Sequence, residues 1–261
     1  MPRETLARSP ITIEVARPRC AAGEPVVALV SGVPLPTSAT LVRIERRPSS
    51  EAAVLIDEQE LVEPSGLVEL ALPPGALPTA TGTRCALSYA VQVRAHGVVA
   101  RAGLEVVADA RPHVAQGSPG RDPLVAGWDA RHFHLELGDA LLHGGGRIAG
   151  RVHLHGRRCA TAIVVGLVCD ECWRPTGPPA RGLPYWSART LWAAQQHVGV
   201  DPDRTWAPFC FPLPPHLPPA VEARTIAWRY ELRAHARRQH RLDETAALTP
   251  LLHDEHEPDR R

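Results

Sequence analysis

The 261-residue sequence contains no lysine and no asparagine, one methionine, and only three phenylalanines and three tyrosines. All 29 basic residues are therefore arginine. Together with 27 prolines, this bias fits GC-rich codon usage and points to a GC-rich bacterium. Excess charge is missing too: 29 basic against 28 acidic residues leave a net charge of +1, so no nucleic-acid footprint shows. The arginines are scattered without interleaved exposed aromatics, which also argues against a single-strand binding groove. No apolar run is long enough to cross a membrane, and the opening MPRETLARSPITIEV has no apolar h-region. Neither a membrane span nor a signal peptide is expected, and a cytoplasmic location is. Six cysteines in a chain of this length are no disulfide framework, and the cytosol would keep them reduced. Catalytic signatures are absent as well: there is no Gly-x-Ser-x-Gly elbow, Walker loop, Gly-x-Gly-x-x-Gly fingerprint or His-Glu-x-x-His. GGGRIAG, from Gly144, opens a strand and so lacks the helix N-terminus that makes a glycine loop bind phosphate. It reads as a hairpin turn, and the chain reads as non-enzymatic.

What the sequence does have is alternation. Ile11, Ile13 and Val15 alternate with polar neighbours, and so do Leu87, Tyr89, Val91 and Val93. The same period of two runs through Phe133, Leu135 and Leu137, through Ile148, Val152 and Leu154, and through Ile226, Trp228, Tyr230 and Leu232. Each run reads as a strand with one buried face. Proline at about twice its usual share of ~5% opposes helices and ends strands. The expected fold is all-β: two tandem immunoglobulin-like β-sandwiches.

The strands come round twice in the same order. ITIEVARPRCAAGEPV from Ile11 corresponds to FHLELGDALLHGGGRI from Phe133, and LPPGALP from Leu72 to LPPHLPP from Leu213. Val42 and Ile44 match Ile163 and Val165, and VLIDEQELV from Val54 matches TLWAAQQHV from Thr190. These matches place an N-terminal extension at 1–10, a first sandwich at 11–108, a linker at 109–131, a second sandwich at 132–252 and a tail at 253–261.

The stretch FCFPLPPHLPPAVEARTIAWRYELRAHA, from Phe209 to Ala236, resembles the arrestin-like superfamily. It has that family's apolar strand, its Leu-Pro…Leu-Pro crossover and its following strand, here carrying Ile226, Tyr230, Leu232 and Ala234. LELGDALLHGGGRIAGRVHL is similar to the family's opening strand, glycine turn and second strand. The compact repeats are nearer the bacterial sporulation-control type than the animal receptor-binding type. Without lysine, the phosphate-sensing lysines of animal arrestins have no counterpart. The resemblance implies two tandem arrestin-like sandwiches acting as a scaffold or adaptor for a protein partner, with no cofactor.

Comparing the repeats exposes an expected insertion from Cys169 to Ala188. It concentrates Trp173, Tyr185 and Trp186, aromatic anchors suited either to a partner-binding patch or to covering the sandwich's end. Cys169 and Cys172 could begin a zinc site, which His153, His155, Cys159 or Cys210 would have to complete. A redox pair and plain reduced thiols are the other readings. Two histidine pairs, His132/His134 and His153/His155, each put both rings on one strand face, and Glu136 extends the first row. They form a polar sheet face or a surface metal site. A metal-binding sensor or metal-dependent enzyme built on these Cys and His residues is the alternative function.

Overall fold

The computed structural model describes residues 11–95, 97–107, 125–126, 133–140, 145–154, 162–176, 186–199, 206–238 and 241–248. Among these residues no helix forms, and every regular element is a strand, as alternation and dense proline dictate. The chain divides into two compact units. The first holds β1 (Thr12–Val15), β2 (Arg19–Ala21), β3 (Pro25–Ser31), β4 (Thr37–Arg47), β5 (Ser50–Leu61), β6 (Ser65–Ala71), β7 (Ala80–Thr81), β8 (Ala86–Ala95) and β9 (Val98–Val107). The second holds β10 (Val125–Ala126), β11 (Phe133–Ala140), β12 (Arg147–Leu154), β13 (Ala162–Trp173), β14 (Ser187–Val198), β15 (Trp206–Pro212), β16 (Val221–Glu222), β17 (Ile226–Arg238) and β18 (Arg241–Leu248). It also takes in Gly82–Cys85.

In the first unit a three-stranded sheet, β1-β3-β6, packs on a larger one, β2-β9-β8-β4-β5. Alternate residues of both, among them Val26, Val30, Leu70, Leu41, Tyr89 and Val91, share one buried cluster. In the second unit the sheet β10-β11-β12-β15 packs on β14-β13-β17-β16, with β18 added beside β17. Phe133, Leu135, Ile148 and Val152 of one sheet meet Ile163, Leu167, Tyr230 and Leu232 of the other. Each unit is thus a sandwich whose core is the sum of two inner faces. At about 25 cal/mol per Å² of apolar area removed from water, these inner faces carry most of each unit's stability.

The units repeat one another down to single hydrogen bonds. Tyr89 Oη donates to the Leu77 carbonyl at 2.8 Å, and Tyr230 Oη donates to the Pro218 carbonyl at 2.6 Å. The amide of Glu69 donates to Gln59 Oε1 at 2.8 Å, and that of Cys210 to Gln196 Oε1 at 3.1 Å. Gly23 N donates to the Pro73 carbonyl and Gly145 N to the Pro214 carbonyl, both glycines turning at positive φ (85° and 78°). Only glycine takes that conformation without a side-chain clash, so both repeats keep it there.

Three sequence-based placements need correcting. Tyr89 lies opposite Arg43 and Tyr230 opposite Cys169, so Val42 and Ile44 are matched by Val168 and Asp170, not by Ile163 and Val165. The two matches differ by five residues, an odd slip. Val42 and Ile44 cluster with Ala90 apart from the main core that Ile163 and Val165 fill, and because Leu41 to Glu45 are all buried, alternation does not mark the inward face there. The expected insertion Cys169–Ala188 is shorter than it looked. Cys169 to Trp173 and Ser187 to Ala188 are strand, and the added chain runs from Arg174 to Trp186, where the first unit has only Pro48 and Ser49. Within the expected linker, Val125 and Ala126 form β10 and pair with Glu136 and Leu135. The remainder of 109–131 lies outside the described residues.

Candidate functional site

Alternation along β13 carries Ile163, Val165, Leu167 and Cys169 into the core, and the next residue on that face is Glu171. A fully buried carboxylate must be satisfied by hydrogen bonds or a counter-charge. The equivalent carboxylate of the first unit, Glu45, is also fully buried and pairs with the Arg43 guanidinium at 3.0 Å. In the second unit Cys169 stands where that arginine would be, and Glu171 finds its donors elsewhere. It accepts from Thr83 Oγ1 at 2.9 Å, from the amide of Arg84 at 3.1 Å and from the amide of Cys85 at 2.8 Å. The contact needs a glycine: a Cβ on Gly82 would lie 2.0 Å from Glu171 Oε1 and 2.6 Å from Trp228 Nε1. The turn that repeats it, Ala223–Ile226, makes the same closing bond, Ala223 N to the Ile226 carbonyl against Gly82 N to the Cys85 carbonyl, yet carries an alanine.

Beside this carboxylate the strand ends in an aromatic and arginine cluster. Trp173 closes β13 opposite Ser187 and Ile226, half-buried, with the Arg84 guanidinium 5.9 Å from its ring centre. Trp186, also half-buried, has two guanidiniums against its ring, those of Arg174 and Arg229, each at 4.9 Å. Arg229 additionally donates to Glu222 at 2.8 Å. Such cation–π contacts are worth about 0.5–1 kcal/mol each at partly exposed positions and hold the rings in fixed orientations. Tyr185 lies outside the described residues. Of the three expected aromatic anchors, the structure therefore brings Trp173 and Trp186 to one end of the sheet. Arg174, Arg229, Glu171 and the Gly82–Cys85 segment complete that end, and sequence reasoning did not single them out. Glu171 was visible as a charge in a core-facing alternation; the arginines carried no such signal.

Among the described residues, the expected cysteine site does not come together. Cys169 and Cys172 are three apart on one strand, so they point to opposite faces. Both are buried, and burial pushes the Cys169 thiol up to about 12 and raises that of Cys172. Neither is a ready thiolate ligand or nucleophile. His153 belongs to the other sheet, and His155 and Cys159 lie outside the described residues. No group of three His, Cys, Asp or Glu side chains converges for a metal among the described residues. The thiols can be ranked directly. Of the five described cysteines, a thiol reagent at neutral pH should modify Cys210, the exposed one, while Cys20, Cys85, Cys169 and Cys172 react only on unfolding. Peptide mapping of native against denatured samples checks this, and rapid native labelling of Cys169 would contradict its burial.

The histidine rows do meet. His134 lies directly opposite His153 across β11 and β12, and the rings stack with centroids 4.7 Å apart and planes 4° from parallel. The Glu136 carboxylate pairs with His153 Nε2. Next to them the Arg151 guanidinium lies 4.5 Å from the Trp206 ring centre. His132 lies outside the described residues.

No family model matches the chain, and no curated protein matches it. No helix among the described residues is long and apolar enough to cross a membrane.

Proposed function

We propose that the chain is a non-enzymatic, arrestin-like scaffold or adaptor of the bacterial cytoplasm, binding a protein partner through the Trp173/Trp186 end of its second sandwich. One observation carries the reading. The added segment from Arg174 to Trp186 lies where the first repeat has a two-residue turn, and it delivers a half-buried tryptophan held between Arg174 and Arg229. The sandwich closes without such a segment, as the first unit demonstrates, so the extra chain serves something other than the core. Tryptophan and arginine are also the residue types that dominate interface energetics, and rings pre-set by neighbouring guanidiniums lose little entropy on binding. The absence of catalytic signatures in the sequence agrees with a binding role.

The test sets capture against stability in the same variants. Trp186→Ala should weaken partner capture by about 1–3 kcal/mol, the usual hot-spot range. Its melting temperature should fall only slightly, since a half-exposed ring gives up less than the about 3–5 kcal/mol of a fully buried one. Capture from the native host by the wild type and by Trp186→Ala, with melting curves for both, measures the two effects. Unchanged capture by a folded Trp186→Ala protein would end the reading.

A further inference from the structure

We infer that the outer face of β11 and β12 carries a binding site for a late first-row divalent metal, built on the cross-strand pair His134 and His153, with Glu136 orienting His153. The placement follows from the strand period. Phe133, Leu135 and Val152 fill the core, which puts His134, Glu136 and His153 together on the opposite face. The register sets the two imidazoles directly across from each other, 4.7 Å between centroids. The Glu136 contact with His153 Nε2 is the outer-shell arrangement that metal-binding histidines commonly use: the carboxylate fixes the tautomer and leaves Nδ1 as the ligand atom.

The first repeat shows that the fold does not need these groups. At the equivalent register pair it has Thr12 and Ser31, whose hydroxyls meet at 2.5 Å, while the carboxylate position is Glu14, as in the second repeat. The second unit has thus exchanged a hydroxyl pair for an imidazole pair beside an unchanged carboxylate. Both His153 and Glu136 side chains are 25% exposed, so an ion can reach them while water is partly held off. Neutral imidazoles are borderline nitrogen donors, which selects Cu²⁺ ahead of Ni²⁺ and Zn²⁺ and disfavours Mg²⁺ and Ca²⁺. Parallel ring planes do not converge their lone pairs, so binding turns the rings about χ2, a broad torsion that costs little. Two protein ligands leave the other positions to water, consistent with no three-ligand group among the described residues.

The probe is Cu²⁺ added to the full chain without a histidine tag at neutral pH. Substoichiometric Cu²⁺ should broaden the ring-proton NMR signals of His134 and His153 before those of other histidines, and the spin-resonance spectrum should show two coupled nitrogens. His134→Thr and His153→Ser, the residues that the first repeat uses, should each remove one coupled nitrogen and lower affinity by at least about tenfold; Glu136→Gln should lower it about 10–100-fold with both nitrogens kept. Earlier broadening of other histidines, or an unchanged nitrogen pattern in both histidine variants, would overturn the site. Because the broadening is read on the unmutated protein, the result does not depend on any variant folding. It is also independent of partner capture at Trp186, which immediately precedes β14 of the other sheet.

Discussion

Glu171→Ala should destabilise the second unit by about 1–3 kcal/mol. One buried donor, the amide of Cys85, is left without its carboxylate, at a cost of about 1–3 kcal/mol, while the part-buried Thr83 hydroxyl and Arg84 amide can turn to water. Glu171→Gln keeps one carbonyl oxygen and should lose less. Gly82→Ala approaches the same contact from the other side. Its Cβ would sit 2.0 Å from the Glu171 carboxylate and 2.6 Å from the Trp228 indole nitrogen, and neither group has room to retreat because both are fully buried. The alanine should therefore cost about as much as a typical overpacked core, about 1–3 kcal/mol. As a control, Gly75→Ala meets nothing within 4 Å and should be nearly neutral. Urea unfolding with an unchanged m-value measures all four variants. If Glu171→Ala lost less than about 1 kcal/mol, the carboxylate would not be holding Gly82–Cys85.

Trp228 provides the second large effect, and its chemistry separates bulk from polarity. It is among the largest fully buried side chains, and its indole Nε1 has no hydrogen-bond partner. Trp228→Ala should cost about 3–5 kcal/mol through lost burial and the cavity left behind. Trp228→Phe removes an unsatisfied buried donor along with one ring, and the relief of that donor offsets part of the lost packing. Its cost should stay below half that of alanine. Thermal melts of the two variants decide the point: equal losses would mean that the indole nitrogen has a partner whose loss matters, against the unpartnered placement.

Much of this molecule is legible in the order of its residues. Strict alternation with dense proline leaves strands as the only regular element among the described residues, and the recurrence of LPP at Leu72 and Leu213 marks the repeat, because in each unit this proline-rich crossover carries the chain from one sheet to the other. The rows His132/His134 and His153/His155 announce a polar face by their spacing alone. The strand period is silent about register, however, since a slip of two residues preserves every inward-facing position, and in β4, buried on both faces, even an odd slip goes unmarked. The pairing of His134 with His153, the match of Cys169 to Arg43 and the true bounds of the added segment were therefore decided by hydrogen bonds between strands far apart in sequence. The same holds for Glu171. Its position in a core-facing run shows that it must be satisfied, but its donors at Thr83, Arg84 and Cys85 come from nearly ninety residues away. Local sequence determines which face a side chain takes; only the folded chain determines what it meets there, because that partner is brought in by the packing of the whole.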